Sequence, residues 1–419
     1  ELSAIEAAQL HDGRSLWTAL TGEEQEPKVA SRLKEYFLAT VDPIARQHRE
    51  SVRQARKALH AVMDATPAIM VMRESDRPRQ SYVLERGVYD SRGEPVQPDT
   101  PGFLPPMSEE LPRNRLGLAR WLTQPDHPLL ARVTVNRYWQ MMFGNGLVRT
   151  PEDFGNQGQV PSHPELLDWL ARDFVNEGWS VHGLLRKIAL SATYRRSSVV
   201  TRQQRNLDPE NVYLARGTNQ RLSAEMIRDN ALATSGLLIS SVGGKPVRPY
   251  DVALAYTPMK VGKGDDLYRR SLYTFWKRTS PAPVMMTLNT PTREVCRLKR
   301  EVTETPLQAL VMLNGHQFIE AARVMAAELI QTHEQNDDAI IEDAYLRLTS
   351  RRPSAEENKI LRQLLSEQLE SFLSEPKRSD ELLSVGQAEV PADVSKPKLA
   401  AVAVLVNTIM NLDECVRHQ

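Results

Sequence analysis

Helix-start signals recur along this chain, and apolar residues at helical spacing follow each of them. A Ser, Thr or Asp before the first turn offers a side-chain acceptor to unpaired backbone N–H groups, and Pro fits the first helical position. The signals are Asp42-Pro43, Ser180, Ser223, Thr305-Pro306 and Ser354. They predict a mostly α fold, a multi-helix domain with long ordered loops and a few short strands.

A further start signal is the tetrad SHPE at 162–165. It fits a capping box, with Ser162 accepting from the amide three residues on and Glu165 reaching back. The predicted helix behind it buries Leu170 and Phe174, and Gly178 ends it.

Other stretches depart from the helical pattern. Residues 68–72 (AIMVM) and 80–89 (QSYVLERGVY) are β-branched and partly alternating, which indicates strands. The Pro-rich piece Asp90–Pro106 predicts an extended connector. Residues 268–288 have strand and turn character, and the polar residues 376–397 are expected to be mobile.

These observations predict four segments. Residues 1–65 form a helical segment, and residues 66–112 form a strand-containing Pro-rich connector. Residues 113–205 form a central helical domain. Residues 206–419 form a second helical unit with an aromatic and basic loop and C-terminal helices.

Composition excludes little but shifts the balance among function classes. Lys and Arg together number 53, as do Asp and Glu, so the formal net charge is zero. Nucleic-acid binders usually have a basic excess, so no nucleic-acid partner is predicted. No apolar run is long enough for a membrane span. No metal motif is present, and whether Cys296 and Cys415 pair stays open.

The first residues resemble the middle of a helix, ELSAIEAAQL, with no initiating Met and no signal peptide. A fragment or a processed product of a longer chain is therefore expected.

A candidate catalytic group surrounds the polar loop GNQGQ at 155–159. Asp153, His163 and Asp168 are close to it in sequence, and a loop His with nearby carboxylates can perform acid–base chemistry. In the alternative interpretation His163 only hydrogen-bonds the incoming loop.

A candidate substrate-binding group lies in the aromatic and basic loop, residues 268–296, which we call the aromatic loop. Arginine forks bind carboxylates or sulfates, and sugar rings stack on aromatic side chains. Most arginines, Arg228 among them, are expected in buried pairs with carboxylates such as Asp229. The predicted ligand contacts are Arg269, Tyr273, Trp276, Lys277, Arg278, Asn289 and Arg293.

Long strings of this sequence resemble the planctomycete-specific domain family catalogued as domain of unknown function 1553. The strings include RLGLARWLTQPDHPLLARVTVNRYWQMMFGNGLVRTPEDFGNQG from residue 115, RLSAEMIRDNALATSGLL from residue 221 and TPLQALVMLN from residue 305. The resemblance covers roughly residues 70–411. Family members usually carry an aromatic–Asp pair where this chain has Leu288-Asn289, so a functional acid there would be missing.

The resemblance implies an exported, periplasmic or extracellular protein. Members often carry an upstream companion domain, and residues 1–65 then resemble the helical end of that domain. Many also carry a c-type cytochrome module before it, so haem c is expected in that upstream module and no cofactor in this chain. A first hypothesis is an enzyme module acting on anionic polysaccharide, with an oxidation coupled to the cytochrome as one form of its chemistry. The alternative is a non-catalytic scaffold that binds a glycan or a protein.

Overall fold

The computed structural model describes residues 31, 34–75, 79–250, 260–278, 280–334 and 336–418. Internal contacts divide the chain into two compact units, Glu1–Gln97 and Pro98–Gln419. The boundary falls inside the Pro-rich stretch Asp90–Pro106. A finer division at residue 205 stays a prediction, and the helix predicted for residues 1–10 lies outside the described residues.

The described part of the first unit contains one long helix and one hairpin. Helix α1 (Pro43–Ala65) follows a π-helical turn, and the Asp42 side chain accepts hydrogen bonds from the first amides of the helix, as predicted. Strand β1 (Ser81–Leu84) pairs antiparallel with β2 (Arg92–Val96). Residues 68–72 are exposed and belong to no helix or strand, so the strand predicted there is wrong.

Helices dominate the second unit, and the predicted mostly α fold is confirmed. In chain order they are α2 (Arg115–Leu122), α3 (Leu130–Phe143), α4 (Pro164–Asn176), α5 (Val181–Leu190), α6 (Arg202–Leu207), α7 (Ala224–Thr234), α8 (Pro283–Thr287), α9 (Pro306–Asn314), α10 (His316–Thr332), α11 (Asp337–Thr349), α12 (Ala355–Ser374), α13 (Pro376–Leu383), α14 (Lys396–Met410) and α15 (Asp413–Val416). A short strand β3 (Gln220–Arg221) pairs antiparallel with β4 (Arg417–His418).

Two hydrophobic clusters lie inside this unit. The smaller one joins α3, α4 and α5 around Val135, Leu170 and Leu184. The larger one surrounds α14, whose apolar side chains are nearly all buried against α10, α12 and α13. A helix that is apolar on every face belongs at the centre of a bundle, and α14 has that position.

Helix starts follow the predicted caps with one exception. Ser180, Ser223, Thr305 and Ser354 each accept a hydrogen bond from an amide in the first turn. The capping box at Ser162 is wrong, because α4 begins one residue later with His163 as its N-cap and Pro164 in its first turn. Pro at the first helical position sets that register.

Two loop predictions also need correction. Residues 268–288 form 3₁₀ turns, isolated bridges and α8 rather than strands. Residues 376–397 are ordered, with α13 first and a loop behind it. The buried side chains of Glu320 and Arg323 hold that loop: Glu320 accepts the Ala388 amide at 2.7 Å and Arg323 donates to the Ala388 carbonyl at 2.7 Å.

Candidate functional site

The loop between α3 and α4 contains Asp153. Its Oδ1 atom accepts the Gly155 N–H at 2.7 Å, and its carbonyl accepts the Thr150 hydroxyl at 2.9 Å. The Thr150 hydroxyl also accepts the Gln159 N–H at 2.9 Å. These bonds fold the polar loop on itself, so Asp153 has a structural part in the turn.

His163 and Asp168 are tied to different partners from Asp153. The Nδ1 atom of His163 lies 3.0 Å from the Ser162 hydroxyl. Arg132 on α3 donates from Nε to Asp168 on α4 at 2.5 Å, and this hydrogen bond lowers the pKa of Asp168. The three residues therefore form no hydrogen-bonded group with one another, and a catalytic role for them stays a prediction.

Arg269 is a buried support of the aromatic loop. It is 8% exposed, and its guanidinium donates to the carbonyls of Ser241, Gly243 and Lys245. The same group lies 3.9 Å from the ring centroid of Tyr273, whose hydroxyl accepts the Gly243 N–H at 2.8 Å. Arg269 and Tyr273 thus fix the segment 241–245 to the loop.

Trp276 and Arg293 fix the other side of the loop. The Trp276 indole donates to the Thr292 carbonyl at 2.9 Å. The Arg293 guanidinium lies 4.8 Å from the Trp276 ring centroid. Arg293 has a φ of 63°, a left-handed conformation that costs free energy in a residue with a side chain. Stacking on the indole offsets part of that cost.

Asn289 ends α8 in a left-handed conformation, with a φ of 64°. The backbone N–H of Asn289 donates to the Met286 carbonyl, and the backbone N–H of Thr290 donates to the Met285 carbonyl, both at 3.0 Å. This pair of bonds is a Schellman ending. Asn and Asp are the side-chain-bearing residues that adopt this conformation most readily. Asn289 therefore meets a backbone requirement that an Asp would also meet.

Arg228 holds the aromatic loop from the buried side. It is 1% exposed and donates to the carbonyls of Leu267 and Arg269 at 2.7 and 2.9 Å. Its ion pair with Asp229 confirms the predicted buried pairing, and Asp229 in turn accepts the Ser271 N–H at 2.8 Å.

The supported loop forms one wall of an open cleft of about 240 Å³, solvent space included. We call it the cationic cleft; it is lined by Arg248, Tyr250, Thr274, Phe275, Lys277 and Ser280, with Pro249 and Ala282. Backbone bonds bring its two sides together, since Val247 donates to Tyr273 at 2.8 Å and Phe275 donates to Val247 at 2.7 Å.

The cationic cleft combines positive charge, an aromatic ring and hydroxyl groups. The Arg248 guanidinium lies 5.7 Å from the Phe275 centroid and forms no ion pair with any described residue. Thr274 is 7% exposed, and its hydroxyl has no hydrogen-bond partner in the described chain. None of the described lining residues is acidic or a His. This chemistry suits a ligand with a negative charge beside a flat apolar face.

Of the predicted contacts, Lys277 lines the cleft and Arg278 is an exposed neighbour in sequence. Arg269, Tyr273, Trp276, Asn289 and Arg293 do not line it. Sequence reasoning missed Arg248, Thr274 and Ser280. The signal for Arg248 was a basic residue next to Pro249 in the string KPVRPY, within a stretch predicted only as a loop.

Residues 114–365 match the family model described as PSD1, a protein of unknown function (DUF1553). The chain belongs to this family. No curated protein and no solved structure shows significant similarity to it. The match includes the cationic cleft, so that cleft belongs to the part of the chain that defines membership of the DUF1553 family.

Two searches of the described residues bear on the candidate chemistry. No group of three or more His, Cys, Asp or Glu side chains is placed to hold a metal ion among them. Across the same part of the chain, no helix is long and apolar enough to cross a membrane. Cys296 is exposed and Cys415 is buried, and both are free thiols.

Proposed function

We propose that this DUF1553 chain is a binding module for an anionic polysaccharide and that the cationic cleft holds the ligand. The observation that carries the proposal is the Arg248 guanidinium 5.7 Å from the ring centroid of the exposed Phe275, with Lys277 in the same cleft. A sulfate or carboxylate would accept from the guanidinium, and a sugar ring would lie on the aromatic face.

Binding is favoured over catalysis because the described residues that line the cleft present donors and an aromatic ring and include no carboxylate or imidazole. General acid–base chemistry needs such a group within hydrogen-bond reach of the substrate. Export to the periplasm or the extracellular space, and a c-type cytochrome as partner, belong to the same proposal. They are supported by the family resemblance alone.

The test measures binding of dextran sulfate, polygalacturonate and uncharged dextran by isothermal titration calorimetry. We expect at least one anionic polymer to bind and Arg248→Ala to weaken it about tenfold, the effect of losing one charge-assisted hydrogen bond. Because exposed charges are screened, binding should also weaken as salt is raised.

Arg352→Ala is the matched control, since Arg352 is a surface arginine that pairs with Glu342 away from the cleft-lining residues. Equal affinity of wild type and Arg248→Ala for every anionic polymer would refute the proposed site. Turnover of a polymer by wild type that His163→Ala abolishes would instead favour the enzyme hypothesis.

A further inference from the structure

A second cleft lies in the region that contains the predicted catalytic loop. Its volume is about 370 Å³, solvent space included. We call it the indole cleft; its lining includes Trp139, Asn145, Arg149, Ser162, Glu210 and Leu214. No role follows for it from the anionic ligand proposed above, because its chemistry differs from that of the cationic cleft.

The first distinctive feature is an indole N–H without a partner. Trp139 is 6% exposed and stacks on Phe143 with a centroid distance of 4.3 Å. Its N–H makes no hydrogen bond to any described residue, and the nitrogen is not among the fully covered unpartnered atoms. A buried indole normally finds an acceptor, so a donor left open at a cleft indicates a ligand oxygen.

The second feature is the charge balance. Arg149 and Glu210 form an ion pair, with a second bond from Arg149 to the Glu210 carbonyl at 3.2 Å. The lining residues therefore carry one positive and one negative charge that neutralise each other. An anionic ligand would have to displace Glu210, whereas an uncharged ligand can use both partners as they stand.

The third feature is a rigid wall. Asn211 and Leu214 have φ values of 52° and 54°, a strained conformation for Leu in particular. The buried Asp208 carboxylate holds this turn by accepting the N–H groups of Val212 and Tyr213 at 2.8 and 2.9 Å. Strain that is held in place beside a cleft is typical of binding sites.

The polar groups of the cleft include donors as well as acceptors. The Trp139 indole and the Asn145 amide can donate, the Ser162 hydroxyl can do both, and the Glu210 carboxylate accepts. The Ser162 backbone amide donates to the Leu147 carbonyl at 2.8 Å, which fixes that residue at the rim. Sugar hydroxyls donate and accept at once, and their C–H faces suit the apolar parts of the lining.

We propose that the indole cleft binds an uncharged saccharide unit, independently of the cationic cleft. The ligand would accept from the Trp139 indole and donate a hydroxyl hydrogen to Glu210. Asn145, an exposed residue, would add a contact at the rim. The chain would then have one site for charged and one for neutral sugar.

The experiment uses the full chain and three neutral probes, the β-1,4-linked hexasaccharides of glucose, xylose and mannose. Binding is measured by saturation-transfer NMR and calorimetry. We expect at least one probe to bind and both Asn145→Ala and Glu210→Gln to weaken it about fivefold, the effect of one lost hydrogen bond. Asn145 is exposed, so its variant tests the site even where Glu210→Gln loosens the turn.

Arg352→Ala is the control variant, because Arg352 pairs with Glu342 and lines neither cleft, and it should leave neutral binding unchanged. The proposal is wrong if none of the three probes binds, or if binding is equal in wild type and Asn145→Ala. Loss of neutral binding in Arg248→Ala alone would show that the neutral saccharide binds in the cationic cleft. That result would refute the proposed saccharide site in the indole cleft. Dextran sulfate binding tests that other cleft separately, so each proposal can fail alone.

Discussion

Replacement of Arg228 by Met tests whether the aromatic loop depends on a buried arginine. Met fills much of the same volume but removes the donors to the Leu267 and Arg269 carbonyls and to Gln317, which accepts from Nε at 2.6 Å. Removing one partner of a buried ion pair costs about 3–5 kcal/mol. Asp229 keeps the Ser271 amide and hydroxyl as donors at 2.8 and 2.7 Å. The lower part of that range, about 3–4 kcal/mol, is therefore expected.

Differential scanning calorimetry measures the effect. A loss of this size should lower the unfolding temperature of the second unit, Pro98–Gln419, by roughly 4–6 °C, because the unfolding entropy of about 2.1 cal/mol/K per residue is large for a unit of this length. Arg362→Met is the control, because Arg362 pairs with Asp338 on the surface, where both side chains are more than half exposed. It should shift the temperature by about 2 °C or less. An Arg228→Met protein that unfolds within 2 °C of the control would refute the reasoning about the buried anchor.

Three further results are expected. Burial raises the pKa of the Cys415 thiol to about 12, so a thiol reagent at pH 8 should titrate one thiol per native chain, that of Cys296, and two after denaturation; two fast thiols in the native chain would contradict this. Arg132 lowers the pKa of Asp168 below 3.8, so the pair stabilises the fold at neutral pH and this contribution is lost as the pH falls through the lowered pKa. Asp168→Asn should therefore lower stability at pH 7 by at most about 1 kcal/mol, with the difference from wild type shrinking on acidification in thermal melts; a constant difference would argue against the pair. Ser354→Ala removes the cap of α12 and should destabilise by about 1 kcal/mol in calorimetry, whereas an unchanged melting temperature would show that the capping bond contributes nothing.

Much of the helical fold could be predicted because its signals are local. A cap and the apolar residues behind it lie within one or two turns, as at Ser354 and Thr305. The failure at Ser162 shows the limit of such signals, since Pro164 set the register against a well-formed capping box. The ordered loop behind α13 could not be predicted, because Glu320 and Arg323 hold it from more than sixty residues away.

The candidate sites were harder to predict for the same reason. The arginines and aromatic residues lie in one stretch of the sequence. The sequence does not distinguish side chains that hold the loop together from side chains that can contact a ligand. Arg269 and Lys277 are both basic and eight residues apart, yet one is buried on carbonyls and the other lines the cleft. Arg248 joins that cleft only because Val247 pairs with Thr274, a contact that has no signature in sequence.

The pairing of β3 with β4 has a consequence for synthesis of the chain. Gln220 and Arg221 find their strand partners only at Arg417 and His418, and Arg417 also donates to Asp413 at 2.6 Å. During synthesis β3 leaves the ribosome almost two hundred residues before β4 does. Until then the Gln220 side of the unit has an open strand edge, the kind of surface that nascent-chain chaperones cover. The β3–β4 pairing can therefore form only after translation has passed His418.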